Sequence, residues 1–140
     1  MTVRFLEGHA KPEKMTTGSS GYDIRFAGEF PVTINPMGEH IFETDIFIAM
    51  LRGEEAQVRG RSGLWFNHSI FTPTGTIDSD FRGEIKVKLK NLGHLPYTVN
   101  PGDRIAQLVF STIEAEVGFL PVYNLPETGR KGGFGHTGKQ

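Results

Sequence analysis

Apolar and polar positions alternate along this chain in short runs, and glycine, proline and asparagine punctuate them. The runs are Val3–Leu6, Tyr22–Phe26, Phe30–Ile34, His40–Met50, Ala56–Arg59, Ile85–Leu92, Tyr97–Val99, Ile105–Phe110 and Ala115–Val122. A period of two over such lengths predicts β-strands with one buried face. Gly18–Gly21, Asn35–Gly38 and Asn100–Gly102 read as turns between them. Only Ser62–His68 reads as a helical turn or two. Many short strands and one short helix predict an all-β, jelly-roll-like β-barrel over residues 1–123.

The last stretch, 124–140, breaks the pattern. It holds five glycines, three cations, one phenylalanine and no aliphatic run beyond Leu125. So little apolar surface does not offset the entropy of ordering, which predicts a flexible C-terminal arm. Its one large ring, Phe134, stands between Gly132-Gly133 and Gly135, beside Arg130 and Lys131. A ring, closely approachable backbone amides and cations are the parts needed to close over an aromatic, phosphorylated ligand. The same arm nearly spells a P-loop at 133–139. Gln140 stands where that motif needs Ser or Thr, and no helix follows, so the P-loop reading is rejected.

Composition excludes several functions. With 140 residues and a net charge of −1, the chain reads as one domain with no basic field for nucleic acid. It has no cysteine, and its five histidines lack ligand-like spacing, so neither a thiolate nor a zinc site is expected. No apolar run suits a signal peptide or a membrane span, and a cytoplasmic location is expected, in a host cell if the source is viral.

The densest chemistry lies at 75–84, where Asp78, Asp80, Glu84, Arg82 and Phe81 crowd between glycines ahead of Ile85, Val87 and Leu89. Such a turn is either a solvated Asp-Gly connection or a site carried on a rigid β scaffold. Arg61-Ser62-Gly63-Leu64 follows a β run and opens the helical segment. It suits either a plain turn or a polyphosphate held by guanidinium, hydroxyl and amides. Gln107 interrupts an apolar strand, where its amide either bonds backbone or reaches a phosphate oxygen. Asp23, in Gly21-Tyr22-Asp23-Ile24, caps a turn or offers a carboxylate.

The order of these segments is more specific than any one of them. Gly-Tyr-Asp-Ile at 21–24, Arg-Ser-Gly-Leu at 61–64, Gly-Thr-Ile-Asp-Ser-Asp-Phe-Arg-Gly at 75–83, Gly-Asp-Arg-Ile-Ala-Gln-Leu at 102–108 and Gly-Gly-Phe-Gly-His-Thr-Gly at 132–138 resemble the five ordered motifs of the trimeric dUTPases. The resemblance covers essentially the whole chain. It implies a jelly-roll-like homotrimer that hydrolyses dUTP to dUMP and pyrophosphate with Mg²⁺, each site taking motifs from all three subunits. By position it makes Asp78 the general base for the attacking water, and gives uracil to the backbone of a hairpin at Thr72–Asp78, including Gly75, Thr76 and Ile77. Phe81 would pack under the deoxyribose. Arg61, Ser62, Gly63 and Gln107 would hold the phosphates, with Lys86 near the α-phosphate. Asp23 would meet Mg²⁺ through water, and Arg130, Phe134 and Gly135 would form the lid.

The chain departs from that pattern in places. Phe81 replaces a usual Tyr, Gly60 a usual Pro, and Thr72-Pro73 the usual Asn or Gly. The arm is one residue shorter between Arg130 and Phe134, which leaves open the cation that meets the γ-phosphate. Two alternatives stand beside the hydrolase. A dCTP deaminase of the same fold would use Glu84 as proton shuttle, and a non-catalytic regulatory binding protein would use the fold as a scaffold.

Overall fold

The computed structural model describes residues 1–135 and Gly138, so His136 and Thr137 of the last motif, with Lys139 and Gln140, lie outside the described residues. The first strands are β1 (Arg4–Phe5), β2 (Tyr22–Arg25), β3 (Val32–Ile34), β4 (Glu39–Phe42), β5 (Ile48–Ala49) and β6 (Glu54–Arg59). Helix α1 (Ser62–His68) comes next, then β7 (Ile70–Phe71), β8 (Gly75–Ile77), β9 (Val87–Asn91), β10 (Tyr97–Val99) and β11 (Arg104–Thr112). All pairings are antiparallel. The strand orders are β2-β11-β6-β8, β4-β9-β7, β10-β3 and β1-β5. No described helix is long and apolar enough to cross a membrane.

Alternation explains the core. On β9, Val87 and Leu89 are buried while Lys86 and Lys88 face outward. Ile24, Phe42, Ala106 and Leu108 join them, and Phe26 meets Phe42 edge-on at 5.0 Å. Asn91 is buried without cost in unpaired groups. Its amide donates to the carbonyls of Ile34 and Leu95 and accepts from the Gly93 N–H, tying the end of β3 and the loop after β9 to the end of β9.

Three expected elements differ. The run His40–Met50 is two strands, β4 and β5, broken at Asp45, which takes a left-handed φ of 57°. The break is held: the Asp45 carboxylate accepts from the His9 ring and the Ala10 N–H, while the Asp45 N–H donates to Glu84. Second, Thr72–Asp78 is no hairpin of mutually paired strands. β7 pairs with β9 and β8 with β6, so this segment crosses between two sheets. Third, Ala115–Val122 forms no strand, and residues 112–131 are exposed throughout.

Candidate active site

The centre of the largest sheet gathers the expected phosphate ligands. Asp23 on β2, Gln107 on β11 and Arg59 on β6 stand directly opposite one another, and such rows share a face of a sheet. Two residues past Arg59, Arg61 is still extended (φ −94°, ψ 132°), so its side chain returns to that face before α1 begins. Ser62 and Gly63 open the helix, and no side chain caps it.

Arg104 reaches the same face because β11 carries a bulge. Arg104 opposes Arg25 while Ala106 opposes the adjacent Ile24, which leaves Ile105 as the extra residue. A spacing of three would place Arg104 and Gln107 on opposite faces, and the bulge cancels that. Asp23 then bridges two guanidiniums. Its oxygens lie 3.6 Å from Nη1 of Arg104 and 3.9 Å from Nε of Arg61, while Arg61 Nη1 donates to the Arg104 carbonyl at 3.0 Å. Tyr97 packs its ring on His68 at 4.8 Å, close enough to Arg61 to feel its charge. Burial, then the charge of Asp103, pushes its phenol above the usual value, with Arg61 pulling it down.

Gln107 is pinned from two sides. Its Nε2 donates to the Gly60 carbonyl at 3.0 Å, and its chain lies against the bare α-carbon of Gly21. A cleft of about 570 Å³ opens here, lined by Gly60, Arg61, Ser62, Thr72 and Gln107 with Trp65 and Phe71 as apolar wall. Thr72 turns its side chain toward Gly60 rather than into solvent.

The acidic turn lies elsewhere. Gly75, Thr76 and Ile77 form β8, and the turn that follows is braced by Arg82, which donates to the carbonyls of Ser79 and Phe81. Asp78 is exposed, Phe81 is half-exposed with its ring against Gly83, and Lys86 projects from the outer face of the chain entering β9. Glu84 is engaged by the Asp45 N–H and is not a free carboxylate. The register sets the separation. Ile77 opposes Ala56 and Gly75 opposes Val58, so Asp78 falls level with Glu55. Arg61 lies six residues further on, about 20 Å at roughly 3.3 Å per residue.

In the arm, the Arg130 guanidinium donates to the carbonyls of Gly132 and Gly133, and Gly135 takes a φ of 75°. Phe134 is fully exposed. The structure thus brings Arg61, Gln107 and Asp23 together, with Ser62 and Gly63 opening the adjacent helix, and adds Arg104, which sat inside a quoted motif without a role; the Arg59 guanidinium donates instead to Gln57.

For magnesium the donor set is informative. Asp23 is a mostly buried single carboxylate between two guanidiniums, and the described residues hold no group of three or more His, Cys, Asp or Glu placed to hold a metal ion. That fits an ion carried in by a polyphosphate and met through its water shell, not one held by carboxylates.

The comparisons with known proteins agree with this frame. The family model for dUTPase matches residues 9–138. The deoxyuridine 5'-triphosphate nucleotidohydrolase of Finegoldia magna is 45% identical over 130 residues, 91% of this chain and 90% of that protein. Its counterpart in Fusobacterium nucleatum is 41% identical over 136 residues, 95% of this chain and 92% of that one. A mutant dUTPase of Staphylococcus bacteriophage 80alpha, solved with dUpNHpp, superposes with a TM-score of 0.85 at 21% identity and covers 98% of each chain. A mutant dUTPase of phage phi11 of S. aureus, whose structure details a structural Mg(II) ion, gives 0.79 at 22% identity, over 91% of this chain and 100% of that one. The fold is jelly-roll-like and all-β, of the kind that carries nucleotide hydrolysis in these proteins. The chain belongs to the dUTPase family.

Proposed function

We propose that this chain hydrolyses dUTP to dUMP and pyrophosphate, as a homotrimer whose sites are shared between subunits. The observation that carries the shared site is the separation of Asp78 from Arg61 along β6 and β8. A general base must sit within hydrogen-bond reach of a water about 3 Å from the phosphorus it attacks. A carboxylate about 13 Å along the sheet from Gln107 and about 20 Å from Arg61 of its own chain, at roughly 3.3 Å per residue, serves the grip of another. The exposed apolar residues of 113–125 support the same reading. Val117, Phe119, Leu120, Val122 and Leu125 are left uncovered by the described residues, as on a surface that meets a partner, and a second copy is the partner this reading supplies.

In this reading Asp78 orients the water and takes its proton as the oxygen attacks the α-phosphorus. The bond from that phosphorus to the bridging oxygen breaks, and pyrophosphate leaves with the electron pair. Arg61, Ser62, Gly63 and Gln107 hold the phosphates, with Lys86 beside the α-phosphate. Asp23 fixes Arg61 and Arg104 and would hold Mg²⁺ through its water shell; the ion would supply positive charge to the phosphates. Uracil is read by backbone groups of 72–78, a tight fit that rejects the methyl of thymine, and Phe81 leaves no room for a 2′-hydroxyl. The arm, with Phe134 on the base and Arg130 at the γ-phosphate, excludes water. Such an enzyme keeps uracil out of DNA and supplies dUMP for dTMP synthesis, and a cytoplasmic place suits it.

Pyrophosphate release from dUTP, dCTP, dTTP and UTP with Mg²⁺ tests the proposal. Turnover of dUTP alone is expected, with discrimination of about 10⁴ where buried polar groups are left unpaired by the wrong base. Ammonia release from dCTP, or no turnover of any nucleotide, would overturn it.

A further inference from the structure

One buried polar atom in the described structure has no partner: the hydroxyl of Thr72. Thr72 is 8% exposed, and its Oγ1 packs on Gly60, where a Cβ would stand 3.3 Å from both Cβ and Oγ1 of Thr72. Buried hydroxyls are nearly always hydrogen-bonded, so this one calls for a reason. The neighbouring acceptor supplies it. The Gly60 carbonyl accepts its bond from Nε2 of Gln107, the same amide that the proposed function sends to a phosphate. When that amide turns to a triphosphate oxygen, the carbonyl loses its donor inside a half-buried cleft. An orphan donor and an acceptor about to be orphaned thus border one glycine, and glycine is the residue that leaves the Thr72 hydroxyl room to rotate.

We propose that Thr72 is a positioning residue for the phosphate grip, its hydroxyl donating to the Gly60 carbonyl when Gln107 turns from that carbonyl to a phosphate oxygen. The exchange keeps the Gly60-Arg61 peptide fixed while Gln107 changes partner. Arg61, held by Asp23 and the Arg104 carbonyl, then meets the phosphates from an unmoved backbone. This inference rests on the reading of Gln107 as a phosphate ligand.

The test is a double-mutant cycle on the full chain: a non-hydrolysable imido analogue of dUTP is titrated with Mg²⁺ into wild type, Thr72→Val, Gln107→Ala and the double variant, and the Tm of each free protein is measured. Thr72→Val is nearly isosteric and removes only a hydroxyl that bonds nothing in the free protein, so its Tm should hold. Its affinity should fall about tenfold, the usual effect of leaving a buried acceptor unpaired. Thr72→Ser keeps the donor and should bind within about twofold of wild type. In the Gln107→Ala background the hydroxyl serves the carbonyl in both free and bound protein. There Thr72→Val should lower the Tm and leave analogue affinity within about twofold. Equal affinity losses in both backgrounds, or none in either, would overturn the exchange. If Gln107→Ala itself binds like wild type, the phosphate role of Gln107 falls and the exchange with it. If Gln107→Ala binds weakly while Thr72→Val does not, the exchange alone is wrong.

Discussion

A Cβ on Gly21 would stand 2.9 Å from both Cβ and Cδ of Gln107, so the absence of a side chain at the start of β2 sets where the Gln107 amide lies. The contact joins the first and fourth motifs through packing rather than through a ligand. Gly21→Ala should push Gln107 off the Gly60 carbonyl. A displacement of about 1 Å at a substrate-positioning group is worth up to roughly 10² in rate, and kcat/KM for dUTP should fall on that scale. A variant with unchanged kcat/KM would show that the Gln107 position is not used.

Asp78 is exposed and makes no contact with the Arg61 cluster of its own chain, so its removal should leave the fold intact. Asp78→Asn should bind the imido analogue of dUTP like wild type and lose about 10²–10⁴ in kcat, the usual worth of a positioned general base. Single-turnover rates check it, and an unchanged rate would remove Asp78 from the mechanism.

The corner at Asp45 titrates. The hydrogen bond from His9 holds the Asp45 carboxyl below the usual carboxylate range; burial opposes it, and the charge of His9 and the Ala10 N–H add smaller downward pulls. A carboxyl depressed in the folded state stabilises above its unfolded pKa, and that stability is lost as pH falls through the folded value. Wild type should therefore melt above Asp45→Asn at mildly acidic pH, and the margin should close as pH falls below the ordinary carboxyl range and through the lower folded value. A margin that persists at the acid end would assign the effect to hydrogen bonding, not charge.

Much of this architecture was legible because local pattern and global fold agree. Ser62–His68 reads as helix and is one, and Tyr97–Val99 reads as a strand and is one. The failures have physical causes. Alternation marks Ala115–Val122 as capable of pairing, but it does not say with what, and no described residue pairs with it. The break at Asp45 depends on His9, Ala10 and Glu84, residues up to 39 positions away. Arg104 was hidden by a bulge, which no period of two reveals. Glu84, chemically a plausible proton shuttle on paper, is claimed by a backbone amide at that same corner.

The exposed segment gives a test of assembly. Phe119 and Leu120 are 91% and 83% exposed, so replacing both with Glu should leave each subunit folded. If a second copy covers them, two buried unpaired charges should split the assembly, each charge left unpaired in an apolar contact costing several kcal/mol. Sedimentation should show monomer with native-like far-UV dichroism. An unchanged oligomer would free this segment from any interface.

The arm and the shared site are tested together by complementation. Deleting residues 128–140 removes glycine-rich chain with little apolar surface, so oligomer size and Tm should hold while activity collapses. Asp78→Asn is dead for a different reason. If a site takes Asp78 from one subunit and Phe134 from another, each parent lacks a part that the other retains. Unfolding the two together at equal ratio and reassembling them should create sites with both parts intact. Random assembly pairs an intact arm with an intact Asp78 at roughly a quarter of sites when each comes from a different subunit. Activity near a quarter of wild type would support sharing. A refolded mixture as inactive as its parents, beside a wild-type control that recovers, would place base and lid in one chain. The separation of Asp78 from Arg61 along β6 would then need another explanation.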